Sequence, residues 1–503
     1  MNEKEVNYLI NQLLNYALRT RLIEELDIIY CANCLIELFQ LTSYKALKTE
    51  DGDIYSVLDQ LSDYAYKNKI ITSNDVTTYD LFQTKIMGML LPKPSIISKE
   101  FFKLFSLNKI EATQYFYNLA VSSNYIRMNR ITRNIHFKYP CEYGILDITI
   151  NLSKPEKDPK MIALEKSLPS YGYPKCAICY ENVGFCGNIK QDARQNLRVI
   201  PLTLDNENYF LQYSPYSYFN EHAIIFNQKH IPMKVDKKTF SKLLDFVSQF
   251  DHYFVGSNAD LPIVGGSILS HDHFQGGRYT FPMFMSNKIK VYSLKDYENV
   301  KLEYLNWPVD TLCLKGKDKE SILDLADKIL QGWISYHNEA IKIISHTQEV
   351  RHNTITPIAR KIEEEFQLYL SLRNNKTTPD FPEGIFHPNS MLHHIKKENI
   401  GLIEVMGLAV LPKRLQAELD SLKDVFLQKA SKEMLNEEPL RKHKDWSLLL
   451  MNKYKFTEEN IQFILENEVG EIFKKVLEDC GVFKFGHRLS EMDKFIYSLF
   501  QKG

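Results

Sequence analysis

A short stretch near the middle of the chain, from Gly265 to Gly277, constrains the fold more than any other. It reads GGSILSHDHFQGG, with two histidines and a glutamine at alternate positions between pairs of glycines. Side chains two residues apart lie on the same face of an extended strand. The pattern therefore predicts a strand that presents His271, His273 and Gln275 on one face. The flanking glycines allow backbone or ligand atoms to approach closely.

Two imidazoles on one strand face are compatible with several kinds of chemistry. A neutral imidazole can act as a nucleophile, a general base or a metal ligand. A pair of histidines alone is more typical of a polar surface strand. The functional interpretation therefore depends on partners elsewhere in the sequence.

The composition limits the class of protein and its partners. The chain has 503 residues, enough for about two to four domains, and its 44% hydrophobic and 25% charged residues are typical of soluble globular proteins. With 62 Lys and Arg against 63 Asp and Glu, no overall field attracts nucleic acid or an anionic membrane, so any phosphate site must be local. The start has no apolar signal region, no stretch is long enough to span a membrane, and eight cysteines are too sparse for a disulfide scaffold. We expect a cytoplasmic protein.

The hydrophobic periodicity divides the chain into four parts. Residues 1–135 show mostly helical spacing, and residues 136–290 alternate as short strands around one helix. Residues 291–430 repeat that order more loosely, and residues 431–503 are helical and highly charged. Strands are expected at 278–284 and 402–411, among others. The predicted fold class is α+β, with an internal duplication as a hypothesis.

Two Cys-x-x-Cys pairs occur in different contexts. Cys31 and Cys34 lie within an apolar helical run and are expected to be small core residues. Cys176 and Cys179 lie among turn residues. Two thiolates at this spacing can bind one Zn²⁺ if two further ligands complete a tetrahedral structural site.

His230 and His271 are the candidates for those two further ligands. His230 follows a predicted strand where the chain passes into a loop. Cys186 is a lower-ranked alternative as third ligand. A redox pair or buried free thiols remain alternatives to a zinc site.

If His271 binds metal, His273 remains on the same strand face with a free ring nitrogen. Attack by that imidazole on phosphorus would form a covalent nucleotidyl-histidine and split one transfer into two steps. Gln275, one step further along the face, could donate its amide hydrogens to a phosphoryl oxygen. Alternatively, Gln275 is a strand residue bonded to a neighbour.

Phosphate binding requires cations and donors, and the sequence offers several. The stretch from Asn151 to Lys160 contains lysines spaced by two prolines, which would hold the ammonium groups in a stiff loop. A solvated charged turn is the alternative interpretation. The candidate substrate-binding residues are Lys154, Lys157, Arg278, Arg360, Asn258 and Ser267.

Three further histidines, His387, His393 and His394, lie between the predicted strands at 366–372 and 402–411. Polar loop histidines are the favoured interpretation of these residues. A second metal site is the alternative.

Taken together, the run from Ser270 to Gly277 resembles the active-site strand of the histidine-triad superfamily. It is most similar to the nucleotidyltransferase branch, in which glutamine replaces the third histidine. That run and the stretch SKPEKDPK at 153–160 resemble the class II bacterial galactose-1-phosphate uridylyltransferases, as do the chain length and the helical N-terminus. The order of Cys176, Cys179, His230 and His271 is similar to that of the zinc ligands in this family.

The resemblance implies a fold and an activity. The fold would contain two histidine-triad-like antiparallel sheet domains, at 136–290 and 291–430, with helical extensions at both ends. The enzyme would serve galactose metabolism in the Leloir pathway, transferring UMP from UDP-glucose to galactose 1-phosphate in a ping-pong reaction. His273 would carry the UMP covalently and Gln275 would hold its phosphoryl oxygens.

The resemblance also implies a zinc ion with a structural role, and it places Asn258 and Ser267 near the nucleotide. The chain departs from the class I form of the family in three respects that argue against a second metal. Asp272 stands where that form has proline, and no acidic residue follows Gln275 at the distance used there for a second metal. The histidine cluster near the C-terminal strand is also arranged differently. The sequence leaves open both a homodimer and a monomer.

Two other functions remain compatible with the same motifs. One is a related phosphorylase of dinucleoside polyphosphates, or a hydrolase, because the sequence does not show whether water is excluded from a histidine adduct. The other is a zinc-stabilised binding protein without a covalent step.

Overall fold

The computed structural model describes residues 2–153, 172–266 and 268–500. The chain forms two compact units. The first unit contains residues 1–133, 154–217 and 221–231, and the second contains residues 134–153, 218–220 and 232–503. The division into four parts at 135, 290 and 430 remains a prediction.

The first unit begins with helices, as the hydrophobic spacing predicted. Helix α1 starts at a capping box in which the Asn2 side chain accepts from the backbone of Glu5, and the Glu5 side chain accepts from the backbone of Asn2. Helix α2 buries Cys31 with its apolar neighbours. The helices in the described part of this unit are α1 Glu3–Arg19, α2 Ile28–Phe39, α3 Ile54–Lys67, α4 Val76–Gly88, α5 Pro94–Phe105, α6 Lys109–Ser122 and α7 Met128–Ile131.

Three antiparallel strands follow in the same unit. They are β3 Ile200–Leu204, β4 Glu207–Tyr213 and β5 Ala223–Asn227. Asp205 and Asn206, between the first two, both have positive φ (48° and 61°), the conformation that tight hairpin turns require. His230 lies three residues beyond the end of β5.

Seven further strands belong to the second unit and lie in the order β7-β6-β13-β14-β10-β9-β8, each antiparallel to its neighbours. Two helices, α8 Lys237–Gln249 and α9 Lys319–Ser335, contact these strands. The strands are β6 Phe254–Gly256, β7 His273–Gly277, β8 Lys288–Tyr292, β9 Lys301–Leu305, β10 Thr311–Gly316, β13 Asn353–Ile362 and β14 Glu365–Asn374.

The order of elements along the chain occurs twice. Three strands, one helix and two strands (β3, β4, β5, α8, β6, β7) are followed by the same series (β8, β9, β10, α9, β13, β14). A short hairpin, β11 His346–Thr347 with β12 Val350–Arg351, interrupts the second series. The α+β fold class with a duplicated antiparallel arrangement is therefore confirmed.

The two faces of the β6–β10 strands differ in what covers them. One face carries His273, Gln275, Ile358 and Tyr369, because these side chains alternate in register across β7, β13 and β14. Ile358 and Tyr369 belong to the large apolar core formed with the C-terminal segments of this unit. The chain segment around Leu402 lies against this face, since a Cβ atom on Gly256 would meet Leu402 Cδ1 at 2.8 Å. We refer to it as the histidine face, and assign α8 and α9 to the opposite face.

The remaining elements of the second unit complete that core. Strands β1 Ile135–Cys141, β2 Gly144–Asn151 and β15 Leu408–Pro412 form a separate sheet in which β15 is parallel to β2. The C-terminal helices are α11 Arg414–Phe426, α12 Lys444–Lys453, α13 Ile461–Asp479 and α14 Arg488–Ser498. Across the described residues, no helix combines the length and the apolar character that crossing a membrane would require.

One strand prediction was wrong and another was wrong in part. No residue of 278–284 lies in a strand, since β7 ends at Gly277 and Pro282–Met285 form a 3₁₀ turn, where Pro282 has no N–H for a ladder. Residues Leu402–Val405 form a short helix, α10, before β15 begins at Leu408. The Glu404 side chain accepts from the Gly401 N–H at 3.0 Å and so caps that turn. Apolar runs do not distinguish a buried helical turn from a strand.

Candidate active site

His273 is the first residue of β7 and is 4% exposed. Its Nδ1 lies 2.7 Å from the carbonyl oxygen of His271. A carbonyl oxygen only accepts hydrogen bonds, so Nδ1 carries the ring proton and donates it. The lone pair is therefore on Nε2. The predicted strand is confirmed from His273 onward. His271 lies before the strand begins, and its carbonyl fixes the tautomer of His273.

Burial lowers the pKa of His273 from its ordinary value of 6.5. The hydrogen bond to the His271 carbonyl and the charge of Asp272 oppose that effect but do not cancel it. The imidazole is therefore neutral at neutral pH. A neutral ring with a fixed N–H on one side and a lone pair on the other is what a nucleophile or general base requires.

Gln275 lies opposite Gly256 on β6 and shares the histidine face with His273. Glycine at position 256 leaves no side chain beside Gln275 on this face. On β13, Ile358 lies opposite Gly256, so the next side chain across the sheet from Gln275 is apolar. The amide of Gln275 is thus close along the strand to the nucleophile, in a partly buried position.

Asp272 separates the two histidines and points to the opposite face of the strand. Its carboxylate lies 3.9 Å from the ammonium group of Lys242 on α8, and both side chains are buried. A sequence pattern alone did not indicate this ion pair.

Asn258 lies just beyond β6 and is buried. Its Oδ1 accepts from the Leu402 N–H at 2.9 Å, so the side chain holds the start of α10. Gly265 packs against the same segment: a Cβ atom there would lie 1.9 Å from the Ile400 carbonyl oxygen, and its φ is +88°. Only glycine fits this position. The segment 400–402 therefore contacts the loop that leads to His273 at two points, Asn258 and Gly265.

The first unit contains a group of possible metal ligands. The sulfur atoms of Cys176 and Cys179 lie 3.3 Å apart, and Cys179 Sγ lies 3.1 Å from His230 Nδ1. These ligand atoms all lie within 4.8 Å of one another. Burial, followed by the Cys176 thiol, raises the pKa of Cys179 to about 12, so that without a cation the thiol stays protonated. Two sulfurs and one imidazole nitrogen are a donor set that fits zinc.

Asn182 holds the turn between the two cysteines. Its Nδ2 donates to the carbonyl oxygens of Cys176 at 2.8 Å and Cys179 at 2.9 Å. Cys186 is exposed and its sulfur contacts the Gly187 carbonyl, so it lies outside this group. Asn182 could have been found from its position three residues after Cys179, since asparagine commonly bonds to nearby backbone in turns.

The predicted cations are found in different settings. Arg360 is on β13, where its Nε donates to Gln367 Oε1 at 2.8 Å and its guanidinium lies 4.5 Å from the Phe284 ring centroid. Arg278 is exposed, one residue beyond β7. Lys154, Lys157 and Ser267 lie outside the described residues.

The later histidines form two separate groups in the second unit. The ligand atoms of Glu383, His387 and His393 lie within 4.8 Å of one another. His387 Nδ1 and His393 Nε2 both donate to the Pro388 carbonyl, at 3.1 and 2.9 Å, which accounts for their positions as loop histidines without an ion. His394 instead faces His443, with 2.9 Å between their Nδ1 atoms.

Two family models match most of the chain. The model described as galactose-1-phosphate uridyl transferase, N-terminal domain, matches residues 21–232, and the model of its C-terminal domain matches residues 246–448. The chain belongs to the galactose-1-phosphate uridylyltransferase family. A third model, described as a domain of unknown function, matches residues 190–278 and so overlaps both of these matches.

Several bacterial galactose-1-phosphate uridylyltransferases are similar over nearly their whole length. The protein from Clostridium acetobutylicum is 50% identical over 98% of this chain and 99% of its own. Those from Caldanaerobacter subterraneus and Bacillus subtilis are 48% and 44% identical, over 96% and 94% of this chain and the same shares of their own. The crystal structure of yeast Ap4A phosphorylase Apa2 aligns over 73% of this chain and 96% of its own at 11% identity and a TM-score of 0.39, too low to carry an inference.

Proposed function

We propose that the protein transfers a uridylyl group from UDP-glucose to galactose 1-phosphate through a covalent bond to His273 Nε2. Membership of the uridylyltransferase family supports the overall reaction. The observation that carries the covalent step is the hydrogen bond from His273 Nδ1 to the His271 carbonyl oxygen. It leaves the lone pair on Nε2, while burial keeps the ring neutral.

In the first step, Nε2 attacks the α-phosphorus of UDP-glucose. A nitrogen–phosphorus bond forms, the bond from the α-phosphorus to the bridging oxygen breaks, and glucose 1-phosphate leaves with that oxygen. The ring becomes cationic in the adduct, and the Nδ1–H donates a stronger, charge-assisted hydrogen bond to the His271 carbonyl. The backbone of His271 thus stabilises the intermediate without any proton transfer.

In the second step, a phosphate oxygen of galactose 1-phosphate attacks the same phosphorus and the bond to Nε2 breaks. UDP-galactose leaves, and the ring returns to its neutral form. In both steps negative charge increases on the α-phosphoryl oxygens. Gln275, on the same strand face of β7, would donate its amide hydrogens to these oxygens.

A zinc ion with a structural role is part of the proposal. Cys176, Cys179 and His230 would supply three ligands, and the sequence prediction that His271 supplies the fourth is retained. Bound zinc would fix His271 and so the backbone carbonyl that orients His273. It would contribute folding free energy and take no part in the transfer.

The zinc proposal predicts different behaviour for the two cysteine pairs. Cys176→Ser with Cys179→Ser should remove zinc from the purified protein and lower its thermal stability. Cys31→Ser with Cys34→Ser should leave the zinc content unchanged, because these residues lie on helix α2. Elemental analysis of both proteins provides the measurement. Equal zinc content in the two variants would contradict the assignment.

The transfer itself is tested with UDP-glucose labelled in the α-phosphate. The protein should trap label, and galactose 1-phosphate should release it as UDP-galactose. Release as free UMP would indicate a hydrolase. Absence of trapped label would indicate a binding protein.

His273→Ala should abolish trapping and lower the transfer rate by about 10⁴-fold or more, as loss of a nucleophile does in other enzymes. His136→Ala is the matched control: this histidine is on β1, where its Nδ1 lies 2.9 Å from Thr149 Oγ1, and trapping should persist. Label on the His273→Ala protein would reject the assignment.

A further inference from the structure

Arg373 is a buried cation for which the protein provides little compensation. It is on β14 and is 2% exposed. Its Nη1 and Nη2 both donate to one acceptor, the Ile400 carbonyl oxygen, and both distances are 3.5 Å. Within the described residues, no carboxylate forms an ion pair with this guanidinium.

This arrangement is expensive for the folded protein. A guanidinium has five N–H donors in a planar fork that matches carboxylate or phosphate. Burying a charge without a partner is costly even after the protein relaxes around it. Long contacts to one carbonyl recover little of that cost. The position is therefore one that an anion from outside the protein would stabilise.

A second buried cation lies nearby but is already neutralised. Lys396 Nζ lies 2.7 Å from Glu404 Oε1, and both residues are buried. Burial lowers the pKa of Arg373, and the charges of Cys480 and Glu404 oppose that effect. Because Glu404 is paired with Lys396 and also caps α10, it is not an unshared counter-ion for Arg373.

The sheet register places Arg373 on the histidine face. It lies opposite Thr354 on β13, two residues from Ser371 and four from Tyr369, which share that face. The carbonyl that it contacts, of Ile400, is the same one that lies 1.9 Å from the Cβ position of Gly265. Arg373 and the glycine loop leading to His273 therefore flank one backbone oxygen.

A hydroxyl lies between Arg373 and the nucleophile. Thr356 is on β13 opposite Ser371, on the same face, and is 1% exposed. Its Oγ1 is buried and has no hydrogen-bond partner within the described residues. Buried hydroxyls usually have a partner, and those without one at a site often await a ligand or water.

We propose that Arg373 binds the phosphate of the hexose 1-phosphate, which is also the β-phosphate of the UDP-sugar, and that Thr356 Oγ1 donates to the same substrate. This inference deepens the proposed transfer reaction and rests on it. The phosphate would replace the Ile400 carbonyl as the main acceptor for the fork, and it would supply the missing negative charge. Strand β14 thus binds the phosphate that leaves in the first step and attacks in the second, and β7 carries the uridylyl group that is transferred.

Two properties of Arg373→Met distinguish a phosphate ligand from a structural arginine. Because the variant removes an unpaired buried charge, its midpoint of thermal unfolding without ligand should equal or exceed that of the unchanged protein. The stabilisation that glucose 1-phosphate or inorganic phosphate gives to the unchanged protein should be lost. The KM for galactose 1-phosphate should rise about 10- to 100-fold, as for loss of a charge-assisted contact.

Arg198 is the matched control because it is also buried but makes three shorter hydrogen bonds to backbone carbonyls. Its Nε donates to the Pro92 carbonyl and its Nη1 to those of Gln195 and Leu197, all at 2.9 Å. Arg198→Met should lower the midpoint of unfolding and leave the KM for galactose 1-phosphate unchanged. The two arginines should therefore show opposite patterns.

A lower midpoint for Arg373→Met, with the phosphate stabilisation retained, would overturn the inference. If that variant does not fold, Arg373→Lys and Thr356→Val decide the question: both should raise the KM, and a normal KM in both would overturn it. Labelled UDP-glucose separates this outcome from failure of the transfer reaction. If the protein traps label but these variants have a normal KM, only the assignment of Arg373 to the phosphate is rejected. If the phosphate stabilisation depends on Arg373 but no label is trapped, only the transfer reaction is rejected.

Discussion

The last strands of the two repeated series, β7 and β14, carry different chemistry on the same sheet face. Strand β7 is short, begins at His273 and ends in two glycines. Strand β14 is ten residues long and is buried along almost its whole length, with Gln367 and Arg373 on the histidine face. The comparison shows how one architecture can place the reacting group on a short strand and a buried cation on a long one.

Burial also has different consequences for His273 on β7 and Arg373 on β14. On β7, burial turns an imidazole into its neutral, reactive form. On β14, burial lowers the pKa of Arg373 from 12.5, but a guanidinium remains charged at any pH at which the protein is folded. The same desolvation thus yields a nucleophile on one strand and an uncompensated cation on the other.

The two glutamines on these strands provide the largest test of the comparison. Gln275→Ala should lower kcat by about 10²- to 10³-fold, because it removes a donor to a developing oxyanion. Gln367→Ala should leave kcat unchanged. Gln367 Oε1 accepts from Arg360 and from the Tyr369 hydroxyl, both at 2.8 Å, so this variant should instead lose about 1–3 kcal/mol of unfolding free energy.

Steady-state rates and chemical denaturation of both variants provide the measurements. Equal kcat losses in the two variants would show that β7 and β14 do not have separate catalytic and structural roles. A normal rate for Gln275→Ala would remove this residue from the transition state.

The features predicted from sequence on β7 were those with a local cause. The alternation of His271, His273 and Gln275 sets a period of two, and glycines mark the ends, so neighbouring residues decide the strand. The turn at Cys176 was equally local. By contrast, the segment 402–405 reads as a strand continuing to 411, but Glu404 caps a helical turn there.

Arg373 could not be found in this way. It follows an apolar alternation on β14 as any strand residue might, and nothing near it in sequence indicates burial. Its isolation results from packing against the segment around Ile400, and long-range packing of this kind leaves no periodic signal. The Lys242–Asp272 ion pair, which also joins distant residues, was missed for the same reason.

Gly265 links the two strands through Ile400, and its substitution should have an intermediate effect. Gly265→Ala places a Cβ where the Ile400 carbonyl lies and retains a positive φ, so it should cost about 2–4 kcal/mol of unfolding free energy. Since the displaced carbonyl also contacts Arg373, the KM for galactose 1-phosphate should rise as well. Thermal unfolding and steady-state kinetics check both effects.

Gly184→Ala is the control for the backbone effect alone. Gly184 also has a positive φ, of +81°, but a Cβ there would meet nothing within 4 Å. The cost should be about 1 kcal/mol, with no change in KM. A similar KM increase in both variants would argue against coupling through Ile400.

The pH dependence of the first half-reaction gives the smallest and most specific effect. Protonated His273 cannot attack phosphorus, so kcat/KM should fall as the pH decreases through the pKa of the free enzyme's imidazole. Burial lowers that pKa, so the acid limb should lie below 6.5. For stability the sign is the same: the unfolded state takes up its proton first, and the free energy of unfolding therefore decreases as the pH falls below 6.5.

Arg373 should contribute nothing to this limb, because it stays charged throughout. Arg373→Lys should therefore raise KM while leaving the limb at the same pH, measured as uridylylation rate over about pH 5 to 8. A limb above 6.5 would mean that the proton on His273 is held more tightly than burial allows, as by a nearby anion. The neutral nucleophile on β7 would then not be the resting form, and the contrast with the permanent cation on β14 would fail.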